Sequence, residues 1–442
     1  MFTNKDIFKL IAPILIESLL AIAIGMVDNI MVASAGEAAV SAVGLVHTIN
    51  VLVLNFVSAL AGGCTILVAQ AIGKKETDSV EEIGKQTLYL CAFIGLVVTI
   101  LCLIFTKPIL NLMFGKVDAD VMQQAQDYFF YTMITTPTVA IYSAISCYCR
   151  GQGETKRPMY IGVISNLINV IGNAILIYGF NMAAKGAAIA TSASRIISTT
   201  AILIFALRSK SLKIRIEKLF RYKPNKYYIA NICKIGIPNG VENSMFEIGR
   251  VMLSSLVSGM GTISIAANTV AQSLVSFQYT QGTAMGAGLI TVVGTCIGAD
   301  EKEQAQKYTK KILKFEYFSM VIVSLILCVF SSFFIGLFNL SPESALISKK
   351  LLYIHSIMAC TIWPIAFVLP NAFRAATDIT FITIVTMVAM WAFRVALSYV
   401  FAYFCNFGIY SIWFAMFADW MFRICFFIPR FTSRRWLKKY NG

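Results

Sequence analysis

Charge is scarce in this sequence. Only 13% of its 442 residues are Asp, Glu, Lys or Arg, against 58% in the hydrophobic set, whereas a soluble chain carries about 25% charged residues. That leaves too little polar surface to coat a globule, which excludes soluble enzymes, soluble nucleic-acid binders and disordered scaffolds. Histidine occurs twice, at His47 and His355. Neither belongs to a His-Glu-x-x-His metal motif or sits beside an evident nucleophile, and bridging or capping helices is the simpler role for both. No phosphate-binding loop is encoded, because Gly73-Lys74-Lys75 lacks the upstream glycine and the hydroxyl residue after lysine, so an ATP-driven pump is excluded. A paired-aspartate prenyl-transfer motif is also missing. The eleven cysteines have no framework spacing, and the closest pair, Cys147 and Cys149, has no partner cluster; they read as packing residues. Neither an enzyme nor a cofactor is indicated.

What is present is apolar length, with a mean hydropathy of +0.73. A spanning helix takes roughly 20 apolar residues, about 25 when tilted. Twelve such runs fit the chain, near 9–34, 38–72, 87–106, 123–147, 159–180, 184–207, 229–259, 263–298, 312–335, 346–373, 378–403 and 407–430. The first, second, seventh and eighth exceed a simple span and predict tilt or bending. The first run is too long for a cleaved signal peptide and is expected to be retained. The expected fold is an all-α membrane protein with twelve transmembrane helices in two pseudo-symmetric six-helix lobes.

The net charge of +15 sorts by loop. Of 37 Lys and Arg, 27 fall on one predicted side, in the amino-terminal segment, the loops around Lys74–Lys85 and Arg150–Arg157, the stretches Arg208–Lys226 and Lys302–Lys314, Arg374, and the tail from Arg430. By the positive-inside rule that side, with both termini, is cytoplasmic. The basic balance therefore reports topology and contact with anionic membrane lipids, with no nucleic-acid partner.

Shifting the sequence by 225 residues aligns its halves. Pro13 meets Pro238, Glu17 meets Glu242, Gly36 meets Gly261, Gly63 meets Gly288, Ile72-Gly73 meets Ile297-Gly298, and Glu76 meets Glu301. With one-residue slips Arg150 meets Arg374 and Glu154 meets Asp378. Six helices per half return the chain to its starting side, so the repeats are parallel and a cavity is expected between the bundles. The domain reading is an amino-terminal lobe over 1–207, a basic cytoplasmic linker over 208–228 and a carboxy-terminal lobe over 229–442.

Carboxylates in hydrocarbon cost at least ~2.5–3.5 kcal/mol each, so each needs a reason. Glu17 and Asp28 lie 11 residues apart on the first helix, a separation that returns to the same face three turns along. Asp28, deep in an apolar stretch, is the candidate for ion coupling; Glu17 divides between coupling and helix geometry. The seventh helix carries Glu242 and Glu247 on different faces, and Glu247 stands three residues from Arg250, close enough for an internal ion pair. At the 225-residue offset Asp28 meets Leu253 and Glu247 meets Ile22, so the halves differ in acidic equipment. Arg195, Arg394, Asp419 and Arg423 suit interhelix pairs or interface positions. Gln278, Tyr279 and Met252, with Trp363 and Trp391, are candidates for an aromatic and Met-rich substrate cavity, or for ordinary core and lipid-facing positions. The glycines of Ala61-Gly62-Gly63 and Gly282–Gly288 serve close packing or bending.

Pro13 through Asp28-Asn29-Ile30-Met31, the loop Arg150-Gly151-Gln152-Gly153-Glu154-Thr155-Lys156-Arg157-Pro158-Met159, Asn166 to Gly179, Pro238 through Glu247, and Ala266-Ala267-Asn268 together resemble the multidrug and toxic compound extrusion (MATE) transporters over essentially the whole chain. The resemblance implies twelve helices in two lobes and export of cationic or amphipathic compounds against entry of H⁺ or Na⁺. It places the helix-one ion-binding aspartate at Asp28, with neighbours at Asn169 and Thr191; a second aspartate of some members falls on Asn173. Asp28, Asn169, Asn173 and Thr191 are therefore a candidate Na⁺ or proton site. The carboxy-lobe glutamate matches Glu247, accompanied by Glu242. The acid that some members carry in helix ten is absent near Trp363. The expectation is an alternating-access antiporter of the cytoplasmic (plasma or inner) membrane, acting as a monomer on small organic molecules. A lipid-linked-intermediate flippase of related fold is the alternative within transport, and a receptor or assembly protein the alternative outside it.

Overall fold

The structure, a computed structural model, describes residues 2–114, 117–208 and 223–438. Most of the expected linker, residues 209–222, and the end of the basic tail lie outside the described residues. Among the described residues all regular structure is helical. An apolar chain in lipid must satisfy its backbone polar groups within each segment, and helices do so.

The first half contains α1 (Asn4–Ala33), α2 (Glu37–Lys74), α3 (Thr77–Ile104), α4 (Thr106–Phe114), α5 (Ala119–Ile134), α6 (Thr136–Gly151), α7 (Lys156–Asn173) running into a π-helical stretch (Ala174–Gly179), and α8 (Ala183–Arg208). The second contains α9 (Lys226–Ser258), α10 (Thr262–Gly298), α11 (Lys302–Val329), α12 (Ser331–Gly336), α13 (Pro342–Thr361), a π-helical stretch (Pro364–Val368), α14 (Pro370–Ala375), α15 (Ile379–Val388), a third π-helical stretch (Ala389–Ala396), α16 (Leu397–Tyr403), α17 (Tyr410–Thr432) and α18 (Arg435–Lys438). Local chemistry sets the starts. The Thr3 amide donates to Asp6 at 2.9 Å while the Asp6 amide donates to Thr3 Oγ1 at 3.3 Å, a reciprocal cap on α1. Ser341 caps α13 by accepting from the Ser344 amide at 3.3 Å, with Pro342 in the first turn.

The backbone repeats as well as the sequence. Gly36 and Gly261, which precede α2 and α10, have φ of 108° and 85°, a region open to glycine. Left-handed residues recur at the same offset, Lys75 with Asp300 (63° and 58°), Asn181 with Asn406 (54° and 52°) and Ala183 with Gly408 (46° and 55°). Two of these four pairs, Lys75 with Asp300 and Ala183 with Gly408, share no identity, so the repeat persists in backbone geometry where the sequences have diverged.

Two compact units form, one of Ala12–Gly240 and the other of Met1–Ile11 with Val241–Gly442. Relative to the boundaries read from sequence, two segments are exchanged. Residues 1–11 join the second half, where Phe2 and the Tyr308 hydroxyl exchange hydrogen bonds of 2.8 and 3.0 Å. The start of α9 joins the first half, where Gly236 lies on the Leu60 backbone so closely that a Cβ would stand 2.7 Å from its Cα. The changes of unit fall beside Pro13 and Pro238, which interrupt the helical hydrogen-bond ladder.

Nine helices among the described residues are long and apolar enough to cross a membrane by length and composition, and a tenth candidate is the pair Pro342–Thr361 and Pro364–Ala375, bent by 62°. The expected fourth span breaks into α5 and α6 at Thr135, ahead of Pro137. The expected seventh, α9, carries Lys234, Glu242, Glu247 and Arg250 in its length. Bending occurs in the tenth run. The glycine-bearing α2 and α10 continue unbroken, and Gly63 and Gly282 serve close packing.

Candidate functional site

In the Ala12–Gly240 unit, α1 presents two carboxylates in opposite circumstances. Glu17 is met by Arg150 from the end of α6 at 3.2 Å, and Gly162 of α7 leaves room for the pair, since a Cβ there would lie 3.1 Å from Glu17 Oε1. The second half repeats the arrangement in full: Glu242 of α9 is met by Arg374 of α14 at 2.7 Å, and Arg374 also donates to Asn371 Oδ1 at 3.2 Å. Each half thus ties its first helix to the loop after its fourth expected span. This accounts for shared glutamate and arginine at the repeat offset.

Asp28, three turns further along α1, has no basic partner among the described residues. Asn173 Nδ2 donates to its Oδ1 at 2.9 Å. Asn169, one turn earlier on α7, satisfies its surroundings with its amide nitrogen turned toward Asp28, donating to Oδ2 at 2.7 Å and Oδ1 at 3.2 Å while its oxygen accepts from Thr191 Oγ1 at 3.1 Å and the Thr191 amide at 3.2 Å. The four residues taken from the resemblance therefore converge. Asn169 and Asn173 are buried and Asp28 is half-buried. Apolar packing flanks the group: Met31 and Val32 from α1 join Phe129 and Met133, with Val170 and Ala174 against them. The helix widens to π geometry directly after Asn173, a local irregularity that accompanies functional positions.

In the other unit Glu247 and Arg250 form the anticipated i,i+3 ion pair at 3.3 Å. Glu242 lines a cavity of about 460 Å³ with Arg374, Trp363, Phe367, Met390, Trp391 and Arg423, a volume suited to a small organic ligand. Glu247 is not among its lining residues. The three sequence candidates for substrate contact fall elsewhere: Gln278 is buried and donates to Ser324 at 2.8 Å and Ser356 at 2.9 Å, Tyr279 shares a 2.7 Å hydrogen bond with His355, and Met252 is 37% exposed. His355 thereby bridges α13 to α10. Behind Arg423 lies fully buried Asp419, held by Arg423 at 2.7 Å and by Arg394 at 3.5 Å. Arg195 spends its charge on the Thr132 carbonyl at 3.0 Å and Thr135 Oγ1 at 3.3 Å.

Sequence reasoning passes over Glu316 of α11, which is fully buried. It stands two residues past Lys314, at the end of a basic segment, where a carboxylate looks interfacial. The available signal is its position near the middle of an apolar helix, not at its end.

A helical membrane chain built on an internal repeat, with an amide-held carboxylate in one half and an organic-sized cavity in the other, has the construction of a membrane transporter. The MatE family model matches residues 13–175 and 238–400, one copy in each half. The chain belongs to the MatE family, whose members are transporters and not enzymes. It is 26% identical over 438 residues to the transporter YisQ of Bacillus subtilis, covering 98% of this chain and 95% of that one. To a probable multidrug resistance protein NorM of Thermotoga maritima it is 23% identical, covering 99% and 94%. Among solved structures, a MATE protein crystallised with MaD3S superposes with a TM-score of 0.90 at 19% identity, and a MOP superfamily transporter from Pyrococcus furiosus, described as having a binding pocket of reverse polarity, with 0.91 at 19%; each covers 99% of this chain and 97% of its own. At these identities the two structures establish the fold.

Proposed function

We propose that the chain is a secondary-active antiporter of the plasma membrane that exports cationic or amphipathic organic compounds, drugs among them, against entry of H⁺ or Na⁺. The observation that carries this reading is the contrast on α1. Glu17 is neutralised by Arg150, whereas Asp28 is held by the neutral amides of Asn169 and Asn173, which leaves a net negative charge for a mobile cation. Asn173 Oδ1 is buried without a partner. Turning that amide over brings an acceptor to Asp28 in place of a donor, as either a carboxylic proton or a Na⁺ requires. Glu242 and Glu247, each ion-paired to an arginine, are the proposed contributors from the other half.

In this reading the chain crosses the membrane twelve times, with α5–α6 and α9 as crossings beside the ten candidates above, in two six-helix lobes joined by the basic linker. Both termini face the cytoplasm, as the sorted Lys and Arg support, and the monomer is the working unit. Similarity to relatives named as probable multidrug resistance proteins, NorM among them, supports multidrug export. Drug export is favoured over a flippase for anionic lipid intermediates because the arginines of the cavity are each paired to a carboxylate, Arg374 to Glu242 and Arg423 to Asp419, so the wall is not an uncompensated basic surface.

The test is ethidium efflux from pump-deficient cells expressing Asp28→Asn. The variant keeps the volume and removes the charge. It inserts normally and loses efflux by about tenfold or more, which corresponds to at least ~1.4 kcal/mol of lost cation coupling. Full efflux by this variant would remove Asp28 from the mechanism.

A further inference from the structure

The seam between α10 and α11 carries polar groups at three successive turns. Ser324 accepts from Gln278 at 2.8 Å, and one turn away Met320 faces the Gln281 amide at 3.5 Å. One turn further stands Glu316, opposite Gly282. A Cβ on Gly282 would lie 3.0 Å from Glu316 Oε1 and would overlap the Trp363 ring, so the carboxyl group, the bare glycine backbone and the indole are mutually adjacent. Gly282 and Trp363 line the 460 Å³ cavity, which puts the carboxyl group directly behind the cavity wall.

Both carboxyl oxygens of Glu316 are buried without a hydrogen-bond partner. The Ser319 hydroxyl donates to the Glu316 backbone carbonyl at 3.1 Å. From α10 the ionisable neighbour is Tyr279, whose hydroxyl is engaged with His355 of α13. Tyr317, the next residue on α11, donates to the Thr361 carbonyl at 3.0 Å. Neither α12 nor the π-helical stretch Pro364–Val368 contains an ionisable side chain. Among the described residues the carboxyl has no ion-pair partner. A bare carboxylate is unstable in such a setting and must be neutralised. A metal cation needs several oxygen ligands, and no group of three or more His, Cys, Asp or Glu converges anywhere among the described residues. A proton needs no such shell.

We propose that Glu316 is a proton-binding site of the second half, and that its proton is exchanged against an organic cation in the adjacent cavity. With the proton bound, the wall is neutral. When a cation settles against Trp363 and Gly282, the proton leaves to solvent through the cavity, and the carboxylate takes the cation as counter-charge. This deepens the antiport reading and rests on it for the identity of the cavity ligand; the protonation itself does not.

The experiment uses the purified full-length protein. Its infrared spectrum contains the carbonyl stretch of a neutral, water-excluded carboxylic acid, which Glu316→Gln lacks and Asp28→Asn retains. Addition of tetraphenylphosphonium then releases about one proton per chain from the wild type and from Glu316→Asp, and almost none from Glu316→Gln. Because glutamine is the uncharged isostere of the acid, that variant folds, and recovery in Glu316→Asp separates proton exchange from packing. The same neutral-acid band in Glu316→Gln overturns the site. Equal proton release from wild type and Glu316→Gln, or none from the wild type, overturns the exchange. Loss of efflux in Asp28→Asn together with a neutral-acid band that persists in Glu316→Gln leaves the antiport reading standing without the Glu316 site, so the two fail separately.

Discussion

At the scale of single residues, the membrane-embedded charges divide by the company they keep. Glu17, Glu242, Glu247 and Asp419 each face an arginine, while Asp28 faces amides and the carboxyl oxygens of Glu316 make no hydrogen bond. Pairing suits a fixed structural role, because two opposite charges in a low dielectric hold each other. Glu242 shows the consequence. Replacing it with Gln leaves Arg374 without its counter-ion and lowers stability by about 1–3 kcal/mol, read as thermal unfolding in detergent. The double variant Glu242→Gln with Arg374→Gln loses less than the sum of the two single changes, because each removes the other's penalty. Strict additivity in that cycle would show that the ion pair contributes nothing to stability. The repeat aligned Glu17 with Glu242 and Arg150 with Arg374, and the pairing of each glutamate with its arginine emerged only in the structure. Glu316 has no acidic counterpart, its aligned residue being Cys91, and nothing in the periodicity marks it out.

At the scale of elements, close packing is decided by which glycines meet backbone. Gly236 of α9 lies so near Leu60 of α2 that a Cβ would sit 2.7 Å from its Cα and 2.8 Å from its carbonyl oxygen, and backbone cannot swing aside. Gly62, also within a helix, has nothing within 4 Å. Gly236→Ala therefore destabilises by about 1–3 kcal/mol through overpacking, while Gly62→Ala is neutral or stabilises by up to about 1 kcal/mol by relieving glycine's conformational entropy. Melting temperatures that move together in the two variants would show that the α2–α9 contact is loose. Elements also carry the π-helical stretches, which border Asn173, Phe367 and Met390 in turn. They shift side-chain register beside the carboxylate site and the cavity, and no sequence period announces them.

At the scale of the whole molecule, the proposed antiport is tested by assigning it an ion. Ethidium extrusion measured with and without a protonophore, at low and high Na⁺, separates the cases. Proton coupling through Asp28 and Glu316 predicts that the protonophore collapses extrusion and that an imposed Na⁺ gradient does not restore it. Restoration by Na⁺ would assign the sodium-binding form of the Asp28 site and remove protons as the driving ion. The sequence alone determined the membrane setting, the internal repeat and the α1 aspartate. Hydropathy acts over tens of residues, repeats survive as aligned Pro, Glu, Gly and Arg, and the three residues expected around Asp28 came from a motif resemblance. Tertiary structure alone decided the rest. It sent residues 1–11 to one unit and the start of α9 to the other, chose arginine partners more than 130 residues distant for Glu17 and Glu242, and of the cavity candidates put Trp363 and Trp391 in the wall while leaving Gln278, Tyr279 and Met252 out of it. The reason is the same in each case. A carboxylate's role depends on what lies within a few ångströms of it, and those neighbours are supplied by helices that the local sequence does not contain.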